Sequence, residues 1–481
     1  MTFHLRSVQM TKQEKFTASL LVFAATLSIG SPVRAECGEV TLVEVVHQAL
    51  DANQALAAAG HTLDAQEKEV AIKRAGMLPR LNGAGSGVIS SGATFSATAG
   101  VIPEKTTQAA GVIQQTLYDQ SKIDALGSQK HLFRSQQSDY ESARADTIAG
   151  AGQDYVGLLL SEALLEVQEQ NLSLTQESLE ITKSQEEAGA VLYRDVLRWQ
   201  AQVYADQQKV VTQKSSVLTS RFALNQTRNR PSEEVCSLRD LDVESAGFVF
   251  SSPVVAEALT DPHRAALLRD YLVDLGIERS PTITSLDAQL RYQERIAKSA
   301  RRWLIPSLEA TAGGAIFLKT GGGGSDVQSS GDTFWQAQGV LSWSILDGGA
   351  YISTMNLEKA QLHALQAERT DTATAIEEQV RAAAAVAIAS FENIGLSGLQ
   401  SETANQNYEL VNEAYLEGAA TFLELLDSQQ QRVNAERAAR QALYGFLSDL
   451  LAVEQSVNYF PFMESDAEAR VRELEKRLGQ R

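Results

Sequence analysis

The sequence has few cysteines, prolines and histidines, and each shortage excludes a class of protein. Two cysteines and nine prolines in 481 residues exclude disulfide-dense and collagen-like chains. Six scattered histidines, with no HxxxH pair and no CxxC motif, leave no recognisable zinc site. Since no catalytic constellation stands out either, we expect no enzyme activity, no metal and no other cofactor.

Basic side chains are also in short supply. The chain has 42 basic against 60 acidic side chains, a formal net charge of -18. Phosphate binding depends on a basic footprint and on counterion release. We therefore expect no nucleic-acid partner.

Long apolar runs are absent after residue 30. Residues 1–35 have the composition of a secretory signal peptide, with an apolar run at 16–30 and small or aliphatic residues, Val33 and Ala35, before the expected cut. The mature chain then has no apolar run of about 18 residues, the length of a spanning helix. Any membrane passage must use β-strands, because only helices and closed barrels satisfy every backbone group in lipid.

The two cysteines are Cys37, two residues after the expected cut, and Cys236. Glu36 argues against lipidation of Cys37, because a lipidated cysteine follows small or apolar residues. In an oxidising compartment we expect a Cys37–Cys236 disulfide, which would close a long loop. The alternative is two free thiols.

The chain is a duplication with an offset of about 228 residues. Prolines are absent from residues 104–230 and 307–460, so both halves permit long helices. Four pairs of segments match in register: 77–81 with 304–308, 108–113 with 336–341, 117–119 with 345–347, and 187–200 with 416–429. The expected divisions are a first repeat at 36–230, an inter-repeat equatorial segment at 231–283, a second repeat at 284–455 and a charged C-terminal tail at 456–481. The charged end of this tail, 464–481, is expected to form an exposed or frayed helix.

Each repeat begins with a helix, at about 42–76 and 284–303, and continues with a β-hairpin, at 80–118 and 306–346. The predicted strands are 80–92, 106–118, 306–319 and 332–346, and the connecting segments 94–105 and 320–332 are predicted loops.

The last predicted strand has the clearest pattern. Trp335, Leu341 and Trp343 share one face, with glutamine and serine on the other. A tryptophan near each end of an apolar face is typical of an aromatic girdle on a membrane strand, although a soluble half-buried strand alternates too. Four strands cannot close a barrel alone, so the protein must oligomerise.

Very long helices follow each hairpin. About 70 residues lead to Gly189 in the first repeat and to Gly418 in the second, which corresponds to rods of about 100 Å. A rod of that length, attached to a membrane barrel, spans an aqueous space.

These features resemble the TolC-like family of outer membrane efflux and secretion channels. The resemblance covers about residues 40–455 and rests on the Leu-Pro or Ile-Pro before each hairpin, on LYD and ILD before each long helix, and on YLEGAATFLELLD at 415–427 with its weaker copy at 189–197. It implies a mixed α+β membrane protein. Three copies would share a 12-stranded β-barrel, four strands each, continued by a long α-helical periplasmic tunnel.

The resemblance also implies a function and partners. The protein would be a passive outer membrane exit duct of a tripartite efflux pump or a type I secretion system, working with a periplasmic adaptor (membrane fusion protein), an inner-membrane transporter and outer membrane lipid. The alternative is a non-conducting exported coiled-coil scaffold or adhesin, which does not explain the hairpins. An exported enzyme would need a catalytic cluster.

The resemblance places the helical turns at the far end of the tunnel, where the adaptor docks. Gly189, Ala190, Gly418 and Ala419 are the expected contacts. Turn glycines also serve without any partner, because a positive φ favours glycine.

Asp195 and Glu424 are repeat equivalents, and Asp427 lies one turn after Glu424. The resemblance implies an acidic ring facing the lumen at the gate. From the residues alone, Thr421 and Glu424 form a capping box, and Asp195 suits a helix start.

The gate departs from the family pattern at Ala420, where the family's best-known pattern has an arginine. The resemblance therefore implies a weaker closing network or one rebuilt from Tyr415, Arg194 and Arg198. Tyr415 can equally pack against a neighbouring helix.

Overall fold

A computed structural model describes residues 37–89, 94–96, 100–102, 104–241, 261–322 and 332–464, and in the tail 469, 470, 472–474 and 476. The predicted signal peptide lies outside the described residues.

Each half begins with a pair of helices. Helix α1 (Leu42–Ala52) is followed by α2 (Gln54–Ala75), where the sequence analysis expected one helix over 42–76. Asn53 causes the break, because its backbone is extended and its side chain accepts the N–H groups of Ala55 and Leu56.

The second pair is α5 (Pro262–Arg279) and α6 (Pro281–Ala300). Helix α5 lies inside the range assigned to the inter-repeat segment, 231–283. Both prolines occupy the first turn of a helix, where a missing N–H costs nothing. They therefore begin helices here, and α5 lies within the predicted inter-repeat segment.

A four-stranded antiparallel sheet follows the helix pairs. Its order is β2 (Arg80–Ile89), β5 (Lys105–Tyr118), β7 (Ser307–Gly321) and β8 (Thr333–Ser342). Two short strands, β3 (Thr94–Ser96) and β4 (Gly100–Ile102), pair within the predicted loop 94–105. Strand β8 ends at Ser342, the partner of Ser307, and not at 346, because β7 begins there and offers no further partner.

The sheet has one apolar and one polar face. Residues opposite one another share a face, and one row across the four strands is apolar: Leu81, Ile113, Ala312 and Ala337. The adjacent row is polar: Arg80, Gln114, Thr311 and Gln338. On the polar face the Asn82 amide donates to Gln114 Oε1 at 3.3 Å, while Trp335 on the apolar face is 83% exposed.

Four helices lead away from the sheet and back. Helix α3 (Gln120–Glu187) has 68 residues and α7 (Ala350–Leu416) has 67, so each is about 100 Å long. The returning helices are α4 (Tyr193–Thr227) and α8 (Phe422–Ser456), with 35 residues each. Because α3 and α7 start at the sheet and match in length, their turns lie at the same level.

The main core lies midway along the helices, where the returning helices end. Tyr155, Leu268 and Phe446 are buried there. Leu474 of the tail is 1% exposed and belongs to the same core. Leu474 anchors the tail at one point, whereas the neighbouring Arg472, Glu473 and Lys476 are exposed, so the exposed or frayed helix over 464–481 stays a prediction.

A short parallel pair lies beside this core, formed by β1 (Cys37–Val40) and β6 (Cys236–Leu238). The backbones of Cys37 and Cys236 are register partners, and Cys236 is disulfide-bonded. Both facts support the Cys37–Cys236 bridge, which stays a prediction.

Helix α7 contains one 18-residue window with a mean hydropathy of 1.4, of which 11% is buried within the chain. This window contains no long run of large apolar residues, because alanine-rich stretches such as 382–389 supply apolar character without bulk. By length and composition alone, this window would be long and apolar enough to cross a membrane as a helix. The exposed window shows that much of α7 has an apolar surface that its own chain leaves uncovered.

Candidate functional site

Two equivalent turns close the far ends of the long helices. Gly189 has φ 74° and Gly418 has φ 78°, a left-handed conformation that favours glycine. The N–H of Ala190 donates to the Gln185 carbonyl at 2.8 Å, and the N–H of Ala419 to the Ala414 carbonyl at 2.7 Å. The N–H of Gly189 also donates to the Glu186 carbonyl at 2.8 Å, and the N–H of Gly418 to the Tyr415 carbonyl at 3.0 Å. Each turn therefore has the pair of bonds of a Schellman motif. A Cβ at either glycine would meet no atom within 4 Å, so within the chain only the backbone requires glycine.

A capping box begins the helix after the second turn. The N–H of Thr421 donates to Glu424 Oε2 at 2.7 Å, and the N–H of Glu424 to Thr421 Oγ1 at 3.3 Å. The backbone hydrogen bond from Thr421 holds the pKa of Glu424 below its ordinary value of 4.5. The predicted capping box is therefore present, and a lumen-facing role for Glu424 stays a prediction.

The helix after the first turn begins differently. Its N-cap residue, Leu192, offers no side-chain hydrogen bond. Asp195 lies 3.2 Å from Arg198 Nη1 and 3.7 Å from Arg194 Nε. Two arginines thus surround the acid, in place of a cap.

Arg198 also connects the two returning helices. Its guanidinium carbon lies 5.6 Å from the centroid of the Phe422 ring, a cation–π distance. Trp199 contacts the same ring edge-on, with centroids 5.1 Å apart. The geometry therefore couples the start of α4 to the start of α8 through one aromatic ring.

Tyr415 lies on another side of this group. Its hydroxyl is 3.4 Å from Thr182 Oγ1 on α3, and its ring packs against the small core around Trp199 and Leu425. Of the predicted gate residues, the structure brings Arg194 and Arg198 to Asp195 and gives Tyr415 a partner on α3.

Asp427 is exposed and accepts a hydrogen bond from Gln431 Nε2 at 2.7 Å. Its role in the acidic ring stays a prediction. Across the described ranges, no group of three or more His, Cys, Asp or Glu side chains is placed to hold a metal ion.

A buried polar network lies behind the tip, and the sequence analysis missed it. Asp206 is fully buried and accepts from Thr175 Oγ1 and Lys209 Nζ, both at 2.9 Å. Gln429 of α8 donates to Thr175 Oγ1 at 2.8 Å and to Asn171 Oδ1 at 2.9 Å. The spacing of Asp206 and Lys209 suggests a helical ion pair, but their sequence gives no sign that the carboxylate is buried.

Comparisons with known proteins agree with this geometry. The outer membrane efflux protein family matches residues 45–229 and 272–458. Nodulation protein T of Rhizobium leguminosarum bv. viciae is 23% identical over 414 residues, 85% of this chain and 80% of that protein. The probable efflux pump outer membrane protein TtgC of Pseudomonas putida is 23% identical over 410 residues, 82% of this chain and 78% of that protein.

Solved structures show the same fold. The CmeC outer membrane channel of Campylobacter jejuni superposes with a TM-score of 0.68 at 18% identity, covering 91% of this chain and 90% of that one. The two family segments together span most of the described chain, one in each half. The chain therefore belongs to the outer membrane efflux protein family and has the TolC-like fold of outer membrane channels.

Proposed function

We propose that the protein is the passive outer membrane exit duct of a tripartite efflux pump or a type I secretion system. The observation that carries this proposal is the joining, in one chain, of a two-faced sheet with open edges to helices of about 100 Å. The apolar face suits lipid and the polar face suits water. The helices are long enough to extend far into the periplasm.

The open edges require further copies of the chain. Strands β2 and β8 are the edges of the described sheet, and an unpaired edge in lipid leaves backbone groups without partners. Three copies, joined β8 to β2, supply the 12 strands of a closed barrel. The uncovered apolar window of α7 supports the same arrangement, since α7 lies directly after β8.

The helices continue the order of the strands. Helices α2, α3, α6 and α7 adjoin β2, β5, β7 and β8 in the chain, and they contact one another in that order. A ring of copies would therefore extend a barrel into a tube of helices. Such a tube is passive, so its energy would come from an inner-membrane transporter.

The tip turns are the proposed contact with a periplasmic adaptor. Gly189, Ala190, Gly418 and Ala419 are all exposed, and a Cβ added at either glycine would meet no atom of the described chain within 4 Å. An adaptor can therefore approach these backbones closely.

The acids near the tip are the proposed selectivity ring. If Glu424 and Asp427 face the lumen, three copies place six carboxylates around one constriction, within about 10 Å of one another. Such a ring concentrates cations. We expect a cation preference in the reversal potential across a salt gradient, reduced in the Glu424→Gln, Asp427→Asn double variant. An unchanged preference would mean that Glu424 only caps its helix and that Asp427 is only a solvated surface residue.

Two measurements on detergent-extracted protein test the duct. We expect a mass of three mature chains, and proteoliposomes that exchange small solutes down a gradient without an energy source. A monomer that leaves the vesicles sealed would support the scaffold or adhesin alternative.

A further inference from the structure

A basic cleft lies between α3 and α6, close to the sheet. Its volume is about 260 Å³. Four cationic side chains line it against two carboxylates: Arg291, Arg295, Lys298 and Arg302, with Asp124 and Glu294. A local excess of positive charge is unusual in a chain with a net charge of -18.

The carboxylate at the base of the cleft orients two of the cations. Asp124 is 2% exposed and lies 3.2 Å from Arg302 Nη1 and 3.7 Å from Arg295 Nε. The guanidinium of Arg295 lies directly on the α3 backbone at Gly127, where a Cβ would overlap it. Gly127 therefore makes room for this arginine.

The other two cations have no partner of opposite charge within the described chain. Arg291 and Lys298 are exposed, and no carboxylate of the described ranges forms an ion pair with either. Glu294 compensates at most one of them. The cleft therefore presents free positive charge to an incoming anion.

His131 also lines the cleft and lies in the field of its excess positive charge. Its Nδ1 is buried without a hydrogen-bond partner. Burial and then the charges of Arg134, Arg295 and Arg291 hold the pKa of His131 below its ordinary value, with Glu294 acting in the opposite direction. The positive field of the arginines outweighs that carboxylate at the wall of the cleft.

The upper end of the cleft lies at the junction of helices and sheet. Arg302 precedes Trp303, whose ring stacks on Tyr351 with centroids 4.0 Å apart. Arg302 also lines a neighbouring cleft of about 480 Å³ together with Trp303 and Trp343. Tryptophan and tyrosine concentrate at the headgroup level of membranes, so Arg302 lies beside the proposed membrane boundary.

Copies of the chain would leave this cleft open. Helices α3 and α6 are the inner pair of the four that adjoin the sheet, and α2 and α7 are the outer pair. A neighbouring copy joins at the outer pair, so it does not cover the groove between the inner pair.

We propose that this cleft binds the phosphate group of an anionic glycerophospholipid in the periplasmic leaflet of the outer membrane. Arginine and lysine bind phosphate through charge-assisted hydrogen bonds, and basic pockets at membrane boundaries hold lipid headgroups. This inference rests on the proposed placement of the sheet in the outer membrane.

The test is lipid retention by the detergent-purified, delipidated trimer, followed by native mass spectrometry during titration with phosphatidylglycerol or phosphatidylcholine. We expect preferential retention of phosphatidylglycerol. The Arg291→Gln, Lys298→Gln variant should bind it about 30-fold more weakly, because two basic residues that each contribute about 1 kcal/mol are removed. Within the described ranges, neither side chain has an ion-pair partner to lose.

A matched control removes the same charge at the same junction. Lys73 and Arg74 are exposed in the last turn of α2, and their double glutamine variant should retain phosphatidylglycerol within about twofold of the wild type. Gly127→Ala, which displaces only the flexible end of Arg295, should weaken retention as well. Equal weakening in the control, or no preference for phosphatidylglycerol, would overturn the proposal.

Inorganic phosphate distinguishes the source of the anion. Retention that persists in millimolar inorganic phosphate supports a lipid, whereas a trimer that binds inorganic phosphate and retains neither lipid preferentially assigns the cleft to free phosphate and contradicts the lipid. Solute exchange by the same preparation separates the two proposals. If the vesicles exchange solutes but the trimer shows no lipid preference, only the lipid site is contradicted. If the vesicles stay sealed, the proposed duct itself is contradicted.

Discussion

The two tip turns have the same backbone and different side-chain support. Gly189 and Gly418 share a positive φ and the same pair of hydrogen bonds. The helix after Gly418 begins with a capping box, whereas the helix after Gly189 begins at Leu192 without one and has Asp195 between two arginines.

The difference shows which part of a duplicated turn is constrained. The backbone requires glycine in both copies. The start of the helix after Gly418 is stabilised by the hydrogen bonds of its capping box, and the start of the helix after Gly189 by the ion pairs of Asp195. The first turn should therefore respond to salt and the second to the loss of a hydroxyl, because screening weakens exposed ion pairs more than the short local hydrogen bonds of a capping box.

Replacing a turn glycine should have the largest effect. Gly418→Val and Gly189→Val should each destabilise the turn by at least about 1–2 kcal/mol, because an L side chain is strained at positive φ. Gly418→Asn should cost less, since asparagine tolerates this conformation. Hydrogen exchange of the trimer measures the cost.

The same series separates the turn from the proposed adaptor contact. A bulky side chain at 418 points into open space, so export lost beyond the measured strain, in a trimer that still assembles, indicates a partner at the turn. If export falls only as far as the measured destabilisation of the turn explains, the glycine has a backbone role and no partner.

Loss of the capping hydroxyl should come next in size. Thr421→Ala should destabilise the start of α8 by about 1 kcal/mol, while Leu192→Ala should have no comparable effect on α4. Hydrogen exchange in residues 422–426 and 193–197 measures both. Similar losses at the two helix starts would remove the distinction between the turns.

Removal of Arg198 should have a smaller effect, on the first turn. Arg198→Gln removes the 3.2 Å contact with Asp195 and the contact with Phe422, together worth about 1 kcal/mol or less at this exposed site. Arg194→Gln is the control, because its Nε lies 3.7 Å from Asp195. High salt should reduce the difference between wild type and Arg198→Gln, and salt-independent results would contradict the ion-pair interpretation.

Acid should produce the smallest effect, on the second turn. The pKa of Glu424 is lowered from 4.5 by the backbone N–H of Thr421, so the stabilisation is present above pH 4.5 and is lost as the pH falls through the lowered value. We expect earlier fraying of 422–426 in acid, measured by exchange corrected for the intrinsic rate. Fraying that begins above pH 5 would point to another group.

The sequence predicted the features that depend on local pattern. The period-2 alternation around Trp335, the capping box of Thr421 and the turn glycines each arise from a few neighbouring residues. Asn53 was a local signal too, and the sequence analysis overlooked it.

Features formed by distant segments were not predictable. Arg198 and Phe422 meet only because two long helices of equal length end at one level, and Asp124 meets Arg302 only because α3 and α6 adjoin paired strands. Their spacing along the chain contains no information about these contacts. The sequence alone therefore gives no sign that the basic residues of α6 line one cleft.

Single-channel recording of the purified full-length protein in a planar bilayer tests the duct most directly. We expect discrete, uniform conductance steps without any energy source, because three joined sheets and their helices enclose one continuous water-filled path. A correctly folded trimer that inserts into the bilayer and never conducts, in the presence or absence of an adaptor, would contradict the proposed exit duct.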